Sequence, residues 1–191
     1  MTKFFYLDKE NLVMSAEKCI FALGIPERKM AEALKMSEST RALLDRARRY
    51  CSMSEQCEDA VRQKLVVWGA TPVESDEVVK HLYSEDYLND ERYACSYCES
   101  KILGQHWGRQ KVLYQLRLKH LPRPAVNAGM ARVSEEAYHR VLAETAKKKR
   151  QELEGKVDDL YVMRQKVTAF LVSRGFTLSE IGEVEKEQEI Y

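Results

Sequence analysis

The chain has 191 residues, of which 45% are apolar and 32% charged, with a formal net charge of +1. That is enough apolar material for a folded core, yet no run reaches the roughly 18 consecutive apolar residues of a membrane-spanning helix. Gly and Pro total only 12, about half of average usage, which argues against sandwiches and barrels of short strands, folds that turn roughly every 8–12 residues.

In chain order, residues 1–37 read as an N-terminal extension, mobile apart from one short helix over 16–23 that Gly24 and Pro26 end. Its apolar patch at residues 4–7 is broken at once by Asp8, Lys9 and Glu10, unlike a secretory signal. With no export signal, the odd count of five cysteines points to reduced thiols and a cytoplasmic location. Periodicity and capping residues then predict helices over 39–51, 54–68 and 72–83 in a first unit (38–86). The second unit (87–133) carries helices over 89–103, 108–119 and 123–133. The third (134–184) carries 134–152, 157–174 and 178–184, and a frayed tail follows at 185–191. The expected fold class is all-α, three tandem three-helix repeats forming an elongated, curved array.

The repeat is visible at its corners. Gly69, Thr71 and Glu74 recur as Gly175, Thr177 and Glu180, 106 residues on, both in a Gly-x-Thr-x-x-Glu string. Gly suits the left-handed position just past a helix. Thr caps the next helix, Glu three residues later closes a capping box, and Pro72 fits the first helical position. A degenerate middle copy has His120 where Gly is expected. Upstream of each corner stands an apolar pair four residues apart, Val61 and Leu65, Val112 and Leu116, Val167 and Leu171. Each pair predicts one inward stripe of a helix.

Charge is unevenly spread, with local nets of +1, −3, +5 and −2 over 1–35, 36–86, 87–133 and 134–191. Residues 101–132 hold Lys101, Arg109, Lys111, Arg117, Lys119, Arg123 and Arg132 and no acid. This is either a solvated face whose acidic partners come from neighbouring segments or a patch addressed to a polyanion. The candidate contacts are Arg109, Lys111, Arg117, Lys119 and Arg123, with Lys147, Lys148, Lys149 and Arg150 as a second set. Trp68, Trp107, Tyr93 and Tyr97 are core residues or stacking platforms for bases. Trp107, in a loop just before the basic helix, is the one to test.

Catalytic chemistry finds little support. Cys95 and Cys98 have metal or redox spacing, and Cys51 and Cys57 supply two further thiols, so a small zinc- or thiol-dependent protein is one alternative. Against it, Cys95 and Cys98 fall inside a predicted helix without a Gly or Pro knuckle. His81, His106, His120 and His139 are scattered singly, and Asp90 and Glu91 suit a helix start. Gly104 and Gly108 are not followed by the Gly-Lys-Ser/Thr of a phosphate loop. No catalytic residue, metal or cofactor is expected.

Several segments resemble the RecX family, regulators of the recombinase RecA. The run Leu88-Asn89-Asp90-Glu91-Arg92-Tyr93-Ala94 looks like that family's hallmark between its first two repeats. Trp107-Gly108-Arg109 with Val112, Leu116 and Lys119 is similar to the second-repeat helix, and Ser173-Arg174-Gly175-Phe176 to the third-repeat corner. Tyr50-Cys51-Ser52, with Glu55 and Cys57, resembles the opening of the version found in Bacteroidetes-type bacteria. The likeness covers roughly residues 38 to 184; His120 and Gln115 depart from the usual Gly and Glu.

The resemblance implies a non-enzymatic monomer that lodges in the groove of the RecA filament on single-stranded DNA. There it would restrain recombinase, ATPase and co-protease activity in DNA repair and the SOS response, with the basic second unit facing the filament or DNA itself. The rival reading is a stand-alone DNA-binding protein that uses the helix–turn–helix corners. Its second helices, 73–83 and 178–184, are acidic where a recognition helix should be basic. On the contact reading, Arg109→Glu with Lys111→Glu weakens filament binding with little loss of thermal stability.

Overall fold

Ser37 opens the first helix, its Oγ accepting a hydrogen bond from the Thr40 N–H at 3.0 Å. The computed structural model describes residues 36–188; residues 1–35 of the expected extension, with its 16–23 helix, and 189–191 of the tail lie outside them. Nine α-helices follow one another: α1 (Glu38–Met53), α2 (Glu58–Val67), α3 (Pro72–Ser84), α4 (Asp90–Glu99), α5 (Arg109–Leu118), α6 (Arg123–Ala131), α7 (Glu135–Leu153), α8 (Leu160–Arg174) and α9 (Leu178–Gln188). A single π-turn, Ser100–Gly104, prolongs α4. Among the described residues there is no strand, and the all-α repeat architecture is the observed one. The chain divides between Arg41 and Ala42; the Ser37 cap lies before the division, and all that follows lies after it.

Two helix starts and one helix end differ from the expected ones. α2 begins at Glu58, because Cys57 is extended and Glu58 and Asp59 occupy the positive end of the helix dipole. α8 begins at Leu160, because Asp159 accepts from the Tyr161 and Val162 N–H groups at 2.7 and 3.1 Å. Residues 100–104, read as plain helix, widen into the π-turn.

The corners share one hydrogen-bond pattern. Residues 69, 120 and 175 are left-handed, with φ of +85° for Gly69, +57° for His120 and +94° for Gly175. Four residues before each of them, the carbonyls of Leu65, Leu116 and Leu171 accept from the N–H groups of Ala70, Leu121 and Phe176 at 2.9, 3.5 and 3.2 Å. This is the Schellman closure, and it satisfies carbonyls that a helix end leaves unpaired. Both predicted capping boxes form: Thr71 pairs reciprocally with Glu74, and Thr177 with Glu180. The inward stripes hold as well, since Val61, Leu65, Val112, Leu116, Val167 and Leu171 are all buried.

One apolar cluster joins α4 to α9. It contains Cys98, Ile102, Val112, Leu116, Val126, Tyr138, Leu142, Val167, Leu171, Phe176, Ile181 and Val184. α4 packs on α6 so closely that a Cβ on Gly129 would stand 2.7 Å from the Ala94 carbonyl carbon. The hallmark string earns its residues at this seam. Leu88 and Ala94 are buried, and Asn89 caps α4 through the Arg92 N–H. Asp90 accepts from the Tyr83 hydroxyl, while Arg92 clamps Glu55, Asp86 and the Asp86 carbonyl.

Candidate functional site: a cation–aromatic ladder

Tyr93 and Tyr97, one helical turn apart on α4, stack with ring centroids 5.8 Å apart. The π-turn sets Lys101 so that its Nζ lies 5.5 Å from the Tyr97 ring and 5.1 Å from the Trp107 ring. From α5, Lys111 places its Nζ 4.3 Å from the other contact of the ladder, Trp107. Lys119, at the end of α5, stands 5.9 Å from both tyrosines. The result is a continuous strip running Lys119, Tyr93, Tyr97, Lys101, Trp107, Lys111, each residue half-buried. Burial first, and neighbouring thiols second, pushes the hydroxyls of Tyr93 and Tyr97 above the ordinary tyrosine range. Both stay neutral, so the strip's charge is purely positive.

The acid-free stretch divides into two groups. Arg109 forms a bidentate pair with Glu135 at 2.8 and 2.9 Å and lies 4.0 Å from the Tyr138 ring. Arg132 pairs with Glu99 at 2.9 Å. Lys101, Lys111, Arg117, Lys119 and Arg123 have no carboxylate within 4 Å among the described residues. A cation without a counter-charge keeps its full attraction for an external anion, and the neighbouring rings limit its rotamers in advance. In the second set, Lys147 and Lys148 are exposed on α7, while Lys149 and Arg150 are half-buried. Lys149 pairs with Glu152 at 3.0 Å.

The N-terminus of α5 is closed to ligands. Gly108, Arg109 and Gln110 donate their N–H groups to the Arg174 carbonyl, the Tyr138 hydroxyl and the Gly175 carbonyl at 2.9, 3.1 and 3.1 Å. Arg109, expected as a filament or DNA contact, thus has both its backbone N–H and its guanidinium engaged within the fold. Trp68, the other tryptophan, packs edge-on against Tyr50 under Arg46 at the first corner.

The four-cysteine alternative is not built. Cys51, Cys57 and Cys98 are buried, Cys95 is half-buried, and all four are free thiols. No three His, Cys, Asp or Glu side chains converge as metal ligands among the described residues. Cys98 faces Met130 at 3.7 Å inside the core, and burial pushes the thiols of Cys51 and Cys98 up to about 11. Sequence reasoning did not single out Lys101 as a contact, although Tyr93, Tyr97 and Lys101 share an i, i+4, i+8 spacing that places them on one helix face.

Residues 89–130, from the cap of α4 through nearly all of α6, match the family model for the second three-helix domain of RecX. That segment, which holds the whole ladder, is similar to the RecX second domain. The chain is 31% identical over 114 residues to the regulatory protein RecX of Clostridium acetobutylicum, a match covering 59% of this chain and 52% of that one. The chain thus spans about half the length of that relative. It is 24% identical over 187 residues to the RecX of Clostridium botulinum, covering 95% of this chain and 87% of the other. Among solved structures it is similar in fold to a crystal structure of regulatory protein RecX, with a TM-score of 0.71 at 17% identity over 97% of this chain and 83% of that one. The RecX of Lactobacillus salivarius matches with the same TM-score and identity over 82% of this chain and all of that one. Both Clostridium relatives are named as regulatory proteins. No helix among the described residues is long and apolar enough to cross a membrane.

Proposed function

We propose that this RecX-like chain regulates RecA by binding the RecA filament on single-stranded DNA in its helical groove, without transforming a substrate. Binding there restrains filament growth and, with it, recombinase, ATPase and co-protease activity. The observation that carries the reading is the ladder: three uncompensated lysines interleaved with three aromatic rings, inside the segment that matches the RecX second domain. Arg117 and Arg123 extend the same unpaired charge along α5 and onto α6. Such a strip suits an acidic filament surface or the phosphates of the bound strand. Arg109 contributes through the fold, and Lys147, Lys148, Lys149 and Arg150 form a second contact region on α7.

The stand-alone DNA-binding alternative loses ground on the corner helices. α3 carries Glu74, Asp76 and Glu77 against Lys80, and α9 opens with Glu180, Glu183 and Glu185. Acidic residues on a helix meant for the major groove would repel phosphate. The deciding experiment is RecA-catalysed ATP hydrolysis on single-stranded DNA with increasing amounts of this protein. Inhibition well below the concentration that coats bare DNA supports the proposal; no effect at excess protein removes it.

A further inference from the structure

A second basic feature lies apart from the ladder, where α7, α8 and the loop after the π-turn meet. Gly104, Gln105, His106, Thr145, Lys148, Lys149, Glu152, Phe170 and Arg174 enclose a cleft of about 270 Å³. Three cations line it against one carboxylate, and that carboxylate is already engaged by Lys149 at 3.0 Å. Lys149, with Lys148 and Lys156 behind it, holds the Glu152 carboxyl below its ordinary range, so the acid stays ionised. The net charge of the lining is therefore positive by two before His106 is counted.

The cleft is preorganised. Lys149 and Arg174 both lie over the Phe170 ring, at 5.0 and 5.1 Å from its centroid. Arg174 donates one Nη1 hydrogen bond to the Gln105 carbonyl at 3.2 Å. That bond fixes the guanidinium plane and leaves its remaining N–H groups for another acceptor. His106 is tied down from both backbone and side chain. It sits at a left-handed φ of +55°, which a non-glycine residue adopts only where its surroundings enforce it. Its Nδ1 is 3.0 Å from Thr145 Oγ1. Thr145 spends its own proton on the Val141 carbonyl at 2.6 Å, so Nδ1–H must be the donor in that contact. Nε2 is then the ring nitrogen left to meet a ligand.

We infer that this cleft binds a phosphate group. A fork of guanidinium N–H donors, a lysine ammonium without an ion pair and an oriented imidazole match the several oxygens of a phosphate better than a single carboxylate would. The group comes either from a nucleic-acid strand or from a free phosphate. Lys148 and Lys149 belong to the second contact region proposed above, so the inference deepens that reading, but it stands or falls without RecA.

The test is a calorimetric titration of the full chain, without RecA, using inorganic phosphate and separately a 15-nucleotide oligothymidylate. Proton NMR of the His106 ring accompanies the phosphate titration. Lys148→Glu is the cleft variant, because Lys148 is exposed and makes no ion pair among the described residues. Lys80→Glu on α3 is the charge-matched control, exposed and outside the cleft. Phosphate is expected to bind and shift the His106 resonances, with Lys148→Glu weakening it at least tenfold and Lys80→Glu changing it less than twofold. Competition between oligonucleotide and phosphate assigns the group to a strand, and phosphate binding without competition assigns it to a free phosphate. Absence of phosphate binding, or equal losses in both variants, overturns the inference. Loss of phosphate binding in Lys148→Glu with RecA inhibition intact would separate the cleft from the filament reading.

Discussion

Gly108 and Gly175 meet backbone to backbone. A Cβ on Gly108 would stand 2.1 Å from the Gly175 carbonyl carbon, and a Cβ on Gly175 would stand 2.4 Å from Lys111 Cβ. The contact joins the N-terminus of α5 to the C-terminus of α8, so N–H groups that lack a helical partner meet carbonyls that also lack one. Opposite ends of two helix dipoles face each other there, which adds to the attraction. Gly108→Ala cannot be absorbed by a rotamer change, because the obstruction is backbone. We expect a loss of ~3 kcal/mol or more, seen as a melting temperature lower by roughly 6–12 °C. A change below about 2 °C would mean that the helix ends separate at little cost.

His120 offers the opposite prediction. It holds the left-handed corner position with φ of +57°, where Gly69 and Gly175 stand in the other copies. A non-glycine residue pays about 1 kcal/mol or more there, while glycine enlarges the unfolded ensemble by a smaller amount. His120→Gly should therefore raise stability by about 0.5 kcal/mol, and Gly69→Ala should lower it by about 1 kcal/mol. Chemical denaturation of both variants checks the signs; a destabilised His120→Gly would show that the imidazole itself holds the corner.

Much of this fold was legible because its signals are local. A capping box needs only Thr71 and Glu74, and an inward stripe needs only Val112 and Leu116 at helical spacing. Left-handed His120 could be placed because two intact copies of the corner defined the register. What stayed hidden depends on distant partners. Nothing near Arg109 in the chain announces Glu135, 26 residues away, or the Tyr138 hydroxyl on its N–H. Likewise the phosphate cleft assembles His106 with Thr145 and Arg174, which no spacing rule connects. The π-turn was invisible for another reason, since the sequence of residues 100–104 suits an ordinary helix equally well.

Arg109 should reveal its structural role in acid. Its hydrogen bonds hold the Glu135 carboxyl below the ordinary range, so the folded protein binds fewer protons there than the unfolded chain. The stability this contributes is complete above the unfolded pKa of about 4 and disappears as pH falls through the lower folded value. Glu85 beside Arg48 and Asp86 beside Asn89 and Arg92 act in the same direction. Arg109→Met should lose up to ~1 kcal/mol at neutral pH and also show a shallower fall in stability below about pH 4. An unchanged acid slope would mean that the pair is absent in solution. The double variant Arg109→Glu, Lys111→Glu should melt earlier than wild type, contrary to the expectation from sequence alone.

Thiol reactivity provides a separate check of the core. Cys51 and Cys98 are buried, with thiols pushed up to about 11, and only a thiolate attacks a disulfide reagent. With an aromatic disulfide at pH 8, Cys95 should react first of the four described cysteines, and Cys51, Cys57 and Cys98 should react only on unfolding. Mass-spectrometric mapping of the labelled sites reads the order. Rapid modification of Cys98 in the folded protein would place α4 away from α6.

The ladder predicts a specific separation of binding from stability. Lys101, Lys111 and Lys119 touch ring faces and make no ion pair among the described residues. Replacing all three with Gln removes three charges while leaving the rings packed, at a cost of about 0.5–1 kcal/mol per exposed cation–π contact. The triple variant should remain folded, with a melting temperature lower by roughly 3–12 °C. RecA ATPase inhibition should then need at least tenfold more protein. Each phosphate contact contributes about 0.7 to the logarithmic salt slope on a single strand. If the lysines face DNA phosphates, the slope therefore falls by about 2; if they face acidic protein surface, affinity falls with a gentler change in slope. Gln variants that inhibit as well as wild type at every salt concentration would show that the ladder is a solvated face.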